Sequence, residues 1–188
     1  MTNKIVCVTA GHSNTGKIDS GAVTTVGGEL IKEADLAVKL RNAILHYLQQ
    51  DKGITTRCDG YGTVNLELKE AIKLIKGSDA AVEVHFNSST NKTANGVECI
   101  ALPKDKVLAQ KLSAAVSKVT GSRLRGIDGF ITQEDSARGK LGYVNAGGCI
   151  LEVSFLSNDQ ELKVFEDNYW LIAKSISEVL IDYVKSKK

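Results

Sequence analysis

The chain is poor in proline, with one in 188 residues, and poor in aromatics, at 5%. Together these shortages disfavour a many-stranded sandwich and a surface on which nucleobases stack. No segment approaches the roughly 18 consecutive apolar residues of a membrane helix. Lys4 precedes only the short run Ile5–Thr9, which falls short of a signal-peptide core; the expectation is synthesis in the cytoplasm, without a signal peptide or membrane segment. Basic and acidic residues nearly cancel, 24 against 22, and the only basic cluster is Lys185–Lys188. Nucleic acid is therefore not expected as a partner. The four cysteines, at 7, 58, 99 and 149, include no CxxC pair and lie in or beside aliphatic stretches. They read as free core thiols made in a reducing compartment.

What remains is ordinary globular material, 43% hydrophobic and 24% charged. A chain of this length fits one α/β domain that buries about 70% of its unfolded surface. Lys4–Ala10 reads as a buried strand ended by Gly11, and a polar, Gly-rich stretch follows to Gly28. A helix is expected from about Leu30 to Gln50, a strand over 54–58, a helix over 64–75 and a strand over 80–86. This β-α-β-α-β order implies parallel strands with right-handed crossovers. Further on come a strand at 97–102, a helix at 105–120, an irregular Gly/Arg/Asp-rich loop at 121–142, and a strand at 149–155. Tyr143 is provisionally given to a short strand, Asn158-x-x-Glu161 has the form of a capping box, and a last helix is expected over 168–185. The fold class is thus α/β, a single domain with a mixed, mostly parallel twisted sheet flanked by helices on both faces.

Two of the three histidines fall where open α/β sheets place their ligands, at the carboxyl edge of the strands. His12 follows the first strand by two residues and His85 ends the third. Two acids stand in unusual surroundings. Glu33 starts the buried stripe of the first helix, with Leu36, Ala37, Leu40 and Ile44 at helical spacing after it. It serves either the helix N-terminus or a cation at the sheet edge, with Glu29 as the reserve. Glu152 interrupts the hydrophobic run Cys149–Leu156, sharing a face with Ile150 and Ser154. It is either half of a structural ion pair or a carboxyl whose pKa is raised by desolvation for acid/base work. Two imidazoles and one carboxylate can hold a zinc ion with a position left for water, while a separate carboxylate moves protons. In the third strand Glu83, His85 and Asn87 alternate onto one face, so Glu83 or Asn87 could orient the His85 ring. His46, about 200° around the helix from buried Ile44, should face solvent and stay inert.

Gly11–Lys17 matches the start of a phosphate-binding loop, GxxxxGK, but Ile18 replaces the metal-binding hydroxyl and no helical period follows. Nucleotide binding is therefore a minor alternative. The stronger pattern is the series Ala10-Gly11-His12-Ser13, Glu33, Glu83-Val84-His85-Phe86-Asn87 and Ile150-Leu151-Glu152-Val153-Ser154-Phe155-Leu156-Ser157-Asn158. In order and spacing this resembles the zinc-dependent N-acetylmuramoyl-L-alanine amidases of the amidase-3 family, found in bacterial autolysins and phage endolysins. The resemblance implies one zinc per chain held by His12, Glu33 and His85, and Glu152 as catalytic acid/base. It implies peptidoglycan as substrate, cut at the amide between the lactyl group of N-acetylmuramic acid and L-alanine. Thr9-Ala10 stand where many members have Asp-Pro, which points toward the phage-endolysin branch, acting on the wall after the membrane is breached. Residues 1–188 read as one catalytic domain with no separate wall-binding domain. The competing class is a non-catalytic wall- or small-ligand-binding module on the same fold.

Overall fold

The structure, a computed structural model, describes residues 3–136 and 139–187. Ala137 and Arg138 of the expected loop, and Lys188 of the basic tail, lie outside the described residues. Strand β1 (Lys4–Ala10) is followed by a hairpin of β2 (Val23–Val26) and β3 (Glu29–Lys32), then helix α1 (Glu33–Leu48) and strand β4 (Ile54–Arg57). Helix α2 (Leu68–Ile75), strands β5 (Ala80–Asn87) and β6 (Glu98–Ile100), helix α3 (Lys106–Thr120) and strand β7 (Phe130–Ile131) come next. Helix α4 (Gly142–Asn145), strand β8 (Cys149–Phe155) and helix α5 (Asp159–Ser186) complete the chain.

Six strands form one sheet in the order β4-β1-β5-β8-β6-β7. Every pairing is parallel except β6 with β8, so the sheet is mixed and mostly parallel. Period-two alternation splits its side chains between two cores. Val6 and Val8 of β1, Val82, Val84 and Phe86 of β5, and Leu151 and Val153 of β8 share a large core with α1, α3 and α5. Cys7, Ala81 and Ile150 point the other way and meet the short helices α2 and α4. Because α2 and α4 are short, the carboxyl end of that second face is left open, and a cavity of about 210 Å³ forms there between Ala10, Glu83, His85, Leu141 and Tyr143.

Several boundaries differ from the sequence reading. Residues 29–32 are not helical: Glu29–Lys32 pair antiparallel with Val23–Val26. The turn between them is Gly27-Gly28, both at positive φ (58° and 88°), which a two-residue hairpin demands. The second helix starts at Leu68, not Val64, and Tyr143 lies in α4 and not in a strand. The last helix begins nine residues earlier than expected, at Asp159. The Asn158 side chain caps it, accepting from the Gln160 and Glu161 N–H groups at 3.0 and 3.2 Å. The reciprocal half of the capping box does not form. Glu161 instead accepts from the N–H groups of Gly96 and Phe155, both at 2.8 Å, tying the end of β8 to the loop before β6. All four cysteines are free, and Cys7, Cys99 and Cys149 are buried. No described helix is long and apolar enough to cross a membrane.

Candidate active site

Parallel pairing of β1 with β5 and of β5 with β8 sets the carboxyl ends of three strands side by side. The chain leaves β1 for β4 on one side and reaches β5 on the other, which opens a crevice at that edge. His12 sits just past β1, His85 near the end of β5, and Glu152 directly opposite His85 in β8. Glu33, the first residue of α1, has a side chain only 1% exposed and reaches into the same crevice. Its Oε1 lies 2.9 Å from His85 Nδ1 and its Oε2 2.9 Å from His12 Nε2. The carboxylate also accepts from the Phe86 N–H at 3.0 Å and the Ala22 N–H at 2.9 Å. Glu33 is therefore no mere helix-end acid; it joins α1, β5 and the segment before the hairpin at one point. Glu29 is exposed in β3 and takes no part.

One ligand atom each from His12, Glu33 and His85 lie within 4.8 Å of one another. The two rings meet edge to face, with centroids 4.9 Å apart. Two imidazole nitrogens and a carboxylate oxygen form a donor set suited to zinc. Two further observations fit an ion there. His12 Nε2 is buried without a hydrogen bond of acceptable geometry among the described residues, although Glu33 lies close. The cluster also rests against a glycine cradle: at Gly21 (φ 64°) a Cβ would come within 2.5 Å of the His12 ring and 2.6 Å of Glu33 Oε2. The remaining nitrogen of each ring has a carboxylate of its own. His12 Nδ1 lies 3.0 Å from Asp19 Oδ2, and His85 Nε2 lies 3.0 Å from Glu83 Oε1. Such partners fix ring orientation and tautomer in metal sites. Asn87 does not share this task, since its amide goes to Glu98 Oε1 at 3.0 Å.

The charges follow from these contacts. Burial opposes a proton on His85, yet Glu33 and Glu83 outweigh it and push the ring up to about 10. Burial likewise opposes charge on His12, and Glu33 beside it more than offsets the penalty, so its pKa rises. For Glu33, burial works against ionisation, but the two imidazoles dominate and hold it far below the usual carboxylate range. Without a metal, Glu33 is thus an anion beside a His85 ring that holds its proton, and it also favours charge on His12. Glu152 is 2% exposed, stands in register with His85 on one side and Glu98 on the other, and is near enough to favour charge on His85. His46 is exposed, lies against Gln50 and the Tyr47 and Trp170 rings, and stays outside the cluster. Gly11–Lys17 leads into a bridge between Ser13 and Asp19 and then the hairpin, not directly into a helix; the phosphate-loop letters have no matching structure.

Sequence reasoning missed Asp19, which lies in a stretch without period, and the buried polar residues Arg41, Asp59 and Asn65. Arg41 did leave a signal: it falls eight residues after Glu33, on the inward stripe of α1.

Fold and site define the class: a single-domain α/β protein with two imidazoles and several carboxylates gathered at the carboxyl edge of a mostly parallel sheet. Comparison with known proteins gives the family. The chain belongs to the N-acetylmuramoyl-L-alanine amidases of the amidase-3 family, whose family model matches residues 6–182. Among solved structures, a Neisseria meningitidis chain assigned to the N-acetylmuramoyl-L-alanine amidases is 44% identical, with a TM-score of 0.84 over 95% of this chain and 94% of that one. The catalytic domain of CwlV, an N-acetylmuramoyl-L-alanine amidase from Bacillus (Paenibacillus) polymyxa var. colistinus, shares the fold at 23% identity and a TM-score of 0.81, covering 98% and 99%. So does the catalytic domain of an endolysin targeting Clostridia difficile, at 20% identity and 0.71 over 96% and 98%. No curated protein matches the sequence. Family membership makes the chain an enzyme that hydrolyses an amide of peptidoglycan.

Proposed function

We propose that the chain cuts the amide between the lactyl group of N-acetylmuramic acid and L-alanine in a zinc-dependent reaction, and so lyses bacterial wall. The convergence of His12, Glu33 and His85, with Glu152 across the strand pair from His85, is the observation that carries this reading. His12, Glu33 and His85 would hold one zinc per chain, and Asp19 and Glu83 would fix the two rings. When bound, the ion supplies Lewis-acid polarisation of the scissile carbonyl and eases deprotonation of water. Glu152 accepts a proton from the attacking water as the new C–O bond forms. It then gives a proton to the alanine nitrogen as the C–N bond breaks, so the proton balance closes on one carboxyl. The open cavity beside the cluster, with Leu141 and Tyr143 on its wall, admits the peptide side of the bond. In this reading the enzyme is an endolysin or autolysin, made in the cytoplasm and meeting the wall once the membrane is permeabilised.

The test is digestion of purified peptidoglycan with and without chelator. New N-terminal alanine should appear, vanish on chelation and return with zinc. Glu152→Gln should keep its metal and lose turnover by about 10²–10⁴-fold. Saturable wall binding with no released alanine would favour a binding module and overturn the proposal.

A further inference from the structure

A second fully buried polar group lies behind the site. Arg41, Asp59 and Asn65 are each fully buried. Arg41 Nη1 donates to Asp59 Oδ1 at 2.9 Å and to Asn65 Oδ1 at 3.3 Å, and Nη2 donates to the Val64 carbonyl at 3.0 Å. Asp59 Oδ2 accepts from the Ala10 N–H at 3.0 Å, beyond the point where β4 ends. The Asn65 side-chain amide then donates to three successive carbonyls, Ala10, Gly11 and His12, at 3.2, 3.1 and 2.9 Å. Successive carbonyls of an extended strand point in opposite directions, so three on one donor require the chain to curl at this spot.

The curl is unusual. His12 has φ 67°, and only Asp128 shares a positive φ among the described non-glycine residues. That conformation costs about 1–2 kcal/mol and persists only where the surroundings over-determine it. A buried ion pair is also a poor device for stability alone, because apolar residues of the same volume serve as well or better. Both costs make sense if the group exists to hold one backbone shape.

We propose that Arg41, Asp59 and Asn65 form a positioning clamp that keeps His12 in the left-handed conformation and thereby brings its Nε2 to Glu33. None of the three touches the reacting atoms. Asn14 closes the clamp from the front: its Oδ1 accepts from the Asn65 N–H at 2.7 Å, and its amide donates to the Thr63 carbonyl. The inference rests on the metal reading above, because the clamp's value is the readiness of His12 as a ligand.

The experiment is a cobalt(II) titration of the metal-free full chain, followed by visible absorption, on wild type, Asn65→Ala, Asn14→Ala and Ser177→Ala. Ser177 controls for lost stability. It too is buried and donates to backbone, at the Ile44 and Ala173 carbonyls, but lies on α5. Asn65→Ala should bind cobalt about 10–100-fold more weakly with altered absorption bands, while Ser177→Ala melts earlier yet keeps wild-type affinity. Wild-type affinity and spectrum in folded Asn65→Ala overturn the clamp. Should Asn65→Ala fail to fold by circular dichroism, Asn14→Ala decides: severalfold weaker binding supports the proposal and unchanged binding overturns it. A wild type that takes up no cobalt overturns the metal reading itself, and the clamp with it, before any variant is compared.

Discussion

Gly11 carries no side chain because the His85 ring occupies that space: a Cβ there would lie 2.2 Å from Cε1 of the ring. Gly11→Ala must therefore push the imidazole off Glu33, and we expect a loss of zinc affinity of about 10-fold or more in a protein that still folds, read by competition with a chelator. The pH dependence follows from the same crowding. In the metal-free chain the His85 pKa rises from 6.5 to about 10, so the folded state holds its proton more tightly than the unfolded state. That contribution to stability is complete below pH 6.5 and disappears as pH climbs through about 10. Zinc needs the unprotonated ring, so its apparent affinity should rise across the same window as the urea midpoint of the metal-free protein falls. Affinity flat or falling with pH would contradict this assignment. At this scale the sequence was informative wherever a residue broke its local pattern. Glu152 in a hydrophobic strand, Glu33 on an inward helical stripe and His85 at a strand end all stood out. Asp19 and Asn65 did not, because side chains in irregular segments acquire their partners only through the fold.

Among the elements, α5 illustrates how one cap residue sets a boundary. Asn158→Ala removes the acceptor for two orphan N–H groups and should destabilise by about 1 kcal/mol. Glu161→Ala should cost more, about 2–4 kcal/mol, since it strands the buried Gly96 and Phe155 donors together. Urea denaturation of the two variants checks the order; an equal or reversed cost would mean that Glu161 serves only the helix end. The cap motif was visible in the sequence, but the helix was expected to start later because Asp159–Asp167 is mostly polar and shows little apolar period. Buried Leu162 and Phe165 supply its inward face. The hairpin left a signal too, in the β-branched run Val23–Val26 before Gly27-Gly28, yet a helical reading of Leu30–Lys32 obscured it. What no local signal carries is direction: β6 reads like its neighbours and runs antiparallel to β8, a choice made by how the long connection after β5 returns.

For the molecule as a whole, the two faces of the sheet do different work. One is filled by α1, α3 and α5 around a large apolar core, where Phe86 and Phe165 meet edge to face at 4.7 Å. Phe165→Ala should cost about 3–5 kcal/mol in urea denaturation while leaving zinc affinity unchanged, because its core lies across the sheet from the cluster. Coupled losses of both would show that the faces are not independent. The other face is covered only in part, by α2 and α4, and its open carboxyl end holds the proposed site. The β-α-β order made this division legible, since it predicts parallel strands whose carboxyl ends converge. The central claim, that His12, Glu33 and His85 bind one ion together, is tested most directly by anomalous diffraction at the zinc edge from crystals of the zinc-loaded chain. The account predicts a single peak about 2.0–2.2 Å from a nitrogen of each ring and an oxygen of Glu33. A peak elsewhere, or none at those three side chains, would contradict it.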